Sequence, residues 1–206
     1  MAKLRITYNA PVVLTFAVAA VAVFILTDVV DAARPWFVAW PDLYDIRSYV
    51  GLFSHILGHG SWQHLIGNFM FILLLGPILE ERHGSVSLTV MILITALITG
   101  LLNLVFGAGP LLGASGIVFM MILLASMANV RGGEIPLTFI AVAILYMGGE
   151  IVRAFRDDHI SQMAHLIGGV AGAAFGFLGA GSKPTAAKET ATAGLDKLLG
   201  GTKQRR

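Results

Sequence analysis

Three polar groupings interrupt long apolar runs, and their residue types suit acyl transfer. The first is Gly113-Ala114-Ser115-Gly116. The second is His64 with Asn68, four residues apart. The third is His165, followed by Gly168, Gly169 and Gly172. A serine hydroxyl becomes a useful nucleophile when a neighbouring base takes its proton, and histidine is the usual base. The oxyanion that then develops needs hydrogen-bond donors. A serine that opens a helix offers its own backbone N–H, because the first N–H groups of a helix have no intrahelical partner. His64 and Asn68 share one helical face and can add side-chain donors. The glycines at i+3 and i+7 from His165 remove bulk from one face, which lets membrane helices approach closely.

Each grouping also has a bland reading. A serine in an apolar helix is usually a packing residue bonded to its own backbone. Gly-x-Ser-Gly is short, and this chain has 24 glycines. His64 and Asn68 could simply bond across helices. Ser115 and Asn68 taken alone favour packing. An ionisable residue inside an apolar span is costly and points to function. The case for a site therefore rests on all of them occurring together at one depth.

That depth follows from the elements that carry them. Of 206 residues, 56% are hydrophobic and only 13% charged. Soluble domains average about 45–50% apolar and about 25% charged. The outside of this molecule must therefore be apolar too. A bilayer core of about 30 Å takes about 20 helical residues. Six spans meet or approach that length, at about 11–30, 61–79, 86–106, 115–130, 136–152 and 160–180. This predicts an all-α polytopic membrane protein with a six-transmembrane-helix bundle. Spans two, four and six run in the same direction, and His64, Ser115 and His165 each lie a few residues past the same end. At 1.5 Å per residue they fall in one layer. Spacing alone does not say whether they face one another.

The expected organisation is a six-helix domain over residues 1–181 and a mobile basic tail over 182–206, with at most a short helix near Leu195–Leu199. The first apolar stretch exceeds the 7–15 residues of a signal-peptide core, so it reads as a retained helix. Lys3, Arg5, Arg82, Arg131 and the six cations beyond residue 182 fall on one side of such a bundle; Arg34, Arg47, Arg153 and Arg156 fall on the other. The N-terminal pair and the tail favour both termini in the cytoplasm. Residues 31–59 form the longest connection. Its Trp36, Trp40 and Tyr44 suit a partly embedded outer loop. The chain has no cysteine, which excludes disulfides and thiol-ligated metals. No cofactor, metal or nucleic-acid partner is expected. Glu150 has no assigned role.

The same residues resemble the rhomboid family of intramembrane serine proteases over roughly residues 47–178. The stretch His55-Ile56-Leu57-Gly58-His59-Gly60-Ser61-Trp62-Gln63-His64-Leu65-Ile66-Gly67-Asn68 is similar to the family's His-rich lead-in to its second helix. Glu80-Glu81-Arg82 resembles its Glu-x-Arg motif on a cytoplasmic loop. Gly113-Ala114-Ser115-Gly116 resembles its Gly-x-Ser-Gly, and Ala164-His165-Leu166-Ile167-Gly168-Gly169-Val170-Ala171-Gly172 its His-containing sixth helix. Two positions depart from the pattern. Phe119 stands where the family often has a Tyr packed on the histidine. Val50-Gly51 stands where many bacterial members have Trp-Arg; Arg47 is nearby but not equivalent.

The resemblance implies a multi-pass protein, in a prokaryotic cytoplasmic membrane, that hydrolyses transmembrane protein substrates near the outer face. Ser115 would be the nucleophile and His165 the general base, with no acidic third member. His64, Asn68 and the Ser115 amide would form the oxyanion hole. Gly113, Gly116, Gly168, Gly172, Glu80 and Arg82 would be structural motif residues. The alternative is a catalytically inactive rhomboid-like protein that binds or chaperones membrane clients. A small transporter or structural bundle is the third reading, and it would predict a polar path lined from both faces.

Overall fold

The computed structural model describes residues 7–106, 109–127, 135–154 and 159–179. The basic tail, the expected helix near Leu195–Leu199, Lys3, Arg5, Arg131 and Arg156 lie outside the described residues. So do the side chains of Glu150 and Arg153.

The protein is all-helical. Its α-helices in chain order are α1 (Pro11–Val29), α2 (Ile46–Ser54), α3 (Trp62–His83), α4 (Ser85–Phe106), α5 (Ser115–Ser126), α6 (Leu137–Ala154) and α7 (His159–Gly179). A 3-10 helix covers Asp31–Phe37 between α1 and α2. Helices α1, α3 and α4 and residues Gln162–Gly179 of α7 are long and apolar enough to cross a membrane. Ser115–Ser126 and Leu137–Gly149 are shorter apolar helices. The protein is thus a multi-pass membrane bundle in which large apolar side chains also cover the outside: Val86, Phe106, Leu137 and Leu178 are each more than three-quarters exposed.

Helix α5 is the centre of the bundle. Every residue from Gly116 to Leu124 is buried. Its residues are apolar all round, so no face of it needs water, and α5 touches α3, α4, α6 and α7, most extensively α7. At 12 residues it is shorter than the expected 115–130. The Met127 N–H bonds to Leu124 O at 3.2 Å, a tightened final turn that ends the helix.

Helix α3 is longer than expected. It runs on through Glu80, Glu81 and Arg82 to His83 and stops at Gly84, whose φ of 82° favours glycine and whose N–H returns to Glu80 O at 2.8 Å. Glu80 and Arg82 therefore lie in the last turns of a helix and not in a loop, because their helix propensity carries α3 as far as that glycine. Arg82 is exposed, whereas Glu80 is buried. The Glu80 carboxylate accepts the Val12 N–H at 3.0 Å, the Val13 N–H at 3.1 Å and the Ser85 hydroxyl at 2.7 Å. Ala10 provides no side-chain cap for α1. Glu80 supplies that cap from another helix and ties α1 to the α3–α4 corner.

The connection at 31–59 is more ordered than a plain loop. Asp45 caps α2 by accepting the Arg47 N–H at 2.9 Å. Ser48, Gly51 and Leu52 of α2 face inward, while Ile46, Tyr49, Val50 and Phe53 are exposed. Ala39 and Leu111 exchange two backbone hydrogen bonds, at 2.9 and 3.0 Å, as an isolated antiparallel bridge. This pairing ties the connection to the segment leading into α5.

Candidate active site

Ser115 is the first residue of α5 and is half-buried. The segment before it is held at several points. Leu111 pairs with Ala39 as above. The Gly113 N–H donates to His55 O at 2.9 Å. Asn103, buried on α4, donates from Nδ2 to Ala39 O at 2.8 Å and to Gly109 O at 3.2 Å. Gly113 has φ 115°, a left-handed conformation that favours glycine. Ala114 is an N-cap without a side-chain acceptor. The N–H groups of the first turn of α5 therefore have no intrahelical partner.

His64 and Asn68 lie one turn apart near the start of α3, which Ser61 caps by accepting the His64 N–H at 3.2 Å. Both side chains reach Gly113. A Cβ on Gly113 would stand 2.6 Å from His64 Cε1 and Nε2 and 3.6 Å from Asn68 Nδ2. A residue without a side chain lets the imidazole come so near the backbone that leads to Ser115, and the amide stands beside it at ordinary contact distance.

His165 comes from α7, and glycines set how near α7 lies to α5. A Cβ on Gly168 would overlap Gly116 O, and one on Gly172 would overlap Met120 O. A Cβ on Gly116 would in turn be 3.3 Å from Ala164 O. The two backbones are therefore in direct contact around His165. Its imidazole stacks on the Phe119 ring, with centroids 4.5 Å apart and planes 5° from parallel. Phe119 is one turn after Ser115, so the two share a face of α5, and His165 lies against that face. One layer of the bundle thus carries Ser115, His165, His64 and Asn68.

The family model for the Rhomboid domain matches residues 47–182, which include all four. The chain belongs to the rhomboid family. Among curated proteins, this rhomboid is 34% identical over 137 residues to Rhomboid-related protein 1 of Caenorhabditis elegans, covering 61% of this chain and 38% of that protein. It is 30% identical over 176 residues to Rhomboid protease GlpG of Enterobacter sp. (strain 638), and 27% identical over 178 residues to that of Yersinia pestis (strain Pestoides F). Both matches cover 81% of this chain and 62% of the relative. The rhomboid thus spans less than two thirds of the length of these relatives.

Several further residues hold this layer together in the rhomboid. His55 is buried, with Nδ1 2.8 Å from Gly51 O and Nε2 3.3 Å from Thr99 Oγ1. His59 is buried, with Nδ1 3.1 Å from Leu57 O and Nε2 3.1 Å from Asn68 Nδ2. Burial pushes the pKa of each imidazole, in the connection before α3, down to about 4, so both are neutral near pH 7. The available signal was their i, i+4 spacing in the His-rich stretch. Asn103 and Thr99 were visible only as polar residues in an apolar span. On α4, Thr95, Thr99 and Asn103 recur every four residues, and all three are buried. Among the described residues, no group of three or more His, Asp or Glu side chains comes together in a way that could hold a metal ion.

Proposed function

We propose that this rhomboid is an intramembrane serine endopeptidase. Ser115 is its nucleophile and His165 its general base. The observation that carries this reading is the stacking of His165 on Phe119, one turn from Ser115 on the same face of α5. His165 takes the Ser115 Oγ proton as Oγ attacks the substrate carbonyl carbon. The negative charge that forms on the carbonyl oxygen is met by the Ser115 N–H and by the side chains of His64 and Asn68. His165 then protonates the leaving amine, and water hydrolyses the acyl-enzyme in a second cycle of the same proton transfers.

The substrates are transmembrane proteins. With both termini in the cytoplasm, Ser115 lies a few residues below the outer membrane face. The segment to be cut must unwind before its peptide bond reaches Ser115. Gly and Pro near the cut lower that cost because they are poor helix formers.

The test is cleavage of a single-span substrate in proteoliposomes. Ser115→Ala and His165→Ala each reduce turnover to background, and the double variant is no worse, as expected for residues acting as one unit. A serine-directed fluorophosphonate labels wild type and not Ser115→Ala. Turnover retained in Ser115→Ala removes the serine mechanism. A wild type that neither cleaves nor labels favours the inactive client-binding reading.

A further inference from the structure

We infer that His59 is a positioning residue that fixes the orientation of the Asn68 side-chain amide; the inference rests on the oxyanion role proposed above. His59 lies in the connection before α3, nine residues ahead of Asn68. Its Nδ1 is 3.1 Å from Leu57 O. A carbonyl oxygen only accepts, so Nδ1 carries the hydrogen. In a neutral imidazole Nε2 is then a bare acceptor. That acceptor is 3.1 Å from Asn68 Nδ2.

The contact does two things to Asn68. It uses one of the two amide protons, and it determines which end of the amide is nitrogen. The same Nδ2 lies on the Gly113 side, 3.6 Å from where a Gly113 Cβ would be. The second N–H is therefore left for a group beside Gly113 and Ser115. Without His59 the amide is free to turn over. Oδ1 would then face the same place and repel a developing oxyanion instead of stabilising it. The His59 ring is itself well held. It is buried, packs edge-on against His64 with centroids 5.0 Å apart, and lies 5.9 Å from the Phe69 ring. His59 thus touches both side chains assigned to the oxyanion.

The experiment is a double-mutant comparison on a single-span substrate, with Ser115→Ala in the same assay. His59→Phe keeps a ring and removes the acceptor. We expect kcat to fall about tenfold, part of what losing one oxyanion donor costs, with KM unchanged. His59→Gln, whose side-chain oxygen can accept from Asn68, should recover most of kcat. In an Asn68→Ala background, His59→Phe should cause no further loss, because it acts through the group already removed. If His59→Phe does not fold, His59→Leu serves in both backgrounds. Equal losses in the two backgrounds, or full kcat in His59→Phe, overturn the inference while Ser115→Ala stays inactive. Cleavage by Ser115→Ala overturns the protease reading instead.

Discussion

Phe119 and His165 lie face to face, 4.5 Å between ring centroids and 5° from parallel. The stack joins α5 to α7 and limits rotation of the imidazole about its side-chain bonds. Tyr146 of α6 also packs edge-on against Phe119, with ring centroids 6.0 Å apart. An aromatic pair of this kind contributes about 0.5–1.5 kcal/mol beyond its buried area. Phe119→Leu should lower kcat roughly threefold to tenfold on that scale, while Phe119→Tyr keeps the ring and stays near wild type. Equal turnover in all three proteins would mean that the ring does not orient His165.

The glycines of α7 should differ sharply from one on α3. Gly168→Ala and Gly172→Ala each place a methyl group onto a carbonyl oxygen of α5. Overpacking costs about 1–3 kcal/mol, occasionally more, and a clash with backbone cannot be relieved by a rotamer change. Gly67, exposed in the second turn of α3, has nothing within 4 Å of its would-be Cβ. Gly67→Ala should be neutral or stabilising by up to about 1 kcal/mol. Thermal unfolding in one detergent ranks the three variants, and similar midpoints for all would contradict the close approach of α5 and α7.

Glu80→Ala removes the acceptor for two α1 N–H groups and for the Ser85 hydroxyl. Leaving buried donors unpaired costs about 1–3 kcal/mol each. The unfolding midpoint should drop substantially, with Glu80→Gln intermediate because it keeps one side-chain acceptor. Exposed Arg82→Ala should change it little. A Glu80→Ala protein as stable as wild type would show that α1 needs no cap from α3.

Acid should destabilise the protein through His55. Burial places its folded-state pKa at about 4, below the ordinary value of 6.5. The folded form thus favours the neutral ring. That preference costs nothing above pH 6.5, and it lowers stability progressively as pH falls from 6.5 towards 4. At 1.36 kcal/mol per unit, the full drop corresponds to about 3 kcal/mol. Unfolding midpoints at pH 7 and pH 4.5 should differ less in His55→Asn than in wild type. An unchanged difference would assign the acid sensitivity to other groups.

The fold class and the approximate spans follow from residue order alone. Lipid as solvent demands long apolar helices, and such uninterrupted apolar runs are read directly from residue order. The boundaries shifted where capping chemistry intervened, at Gly84 beyond Glu80-Glu81-Arg82 and at the tightened turn of Met127. Spacing also brought Ser115, His165, His64 and Asn68 to one depth, since depth along a helix is a local quantity of 1.5 Å per residue. Which faces meet is not local. The folded bundle alone shows that Gly168 sits against Gly116 O, that His165 lies on Phe119, and that Gly113 leaves room for the His64 ring beside Asn68. Only it linked His59 to Asn68, Asn103 to Ala39 and Glu80 to the start of α1. These contacts join residues on different elements, as far as 68 positions apart for Glu80 and Val12. They depend on the rotation and crossing of whole helices about one another, which close backbone packing sets and residue order along one helix does not encode.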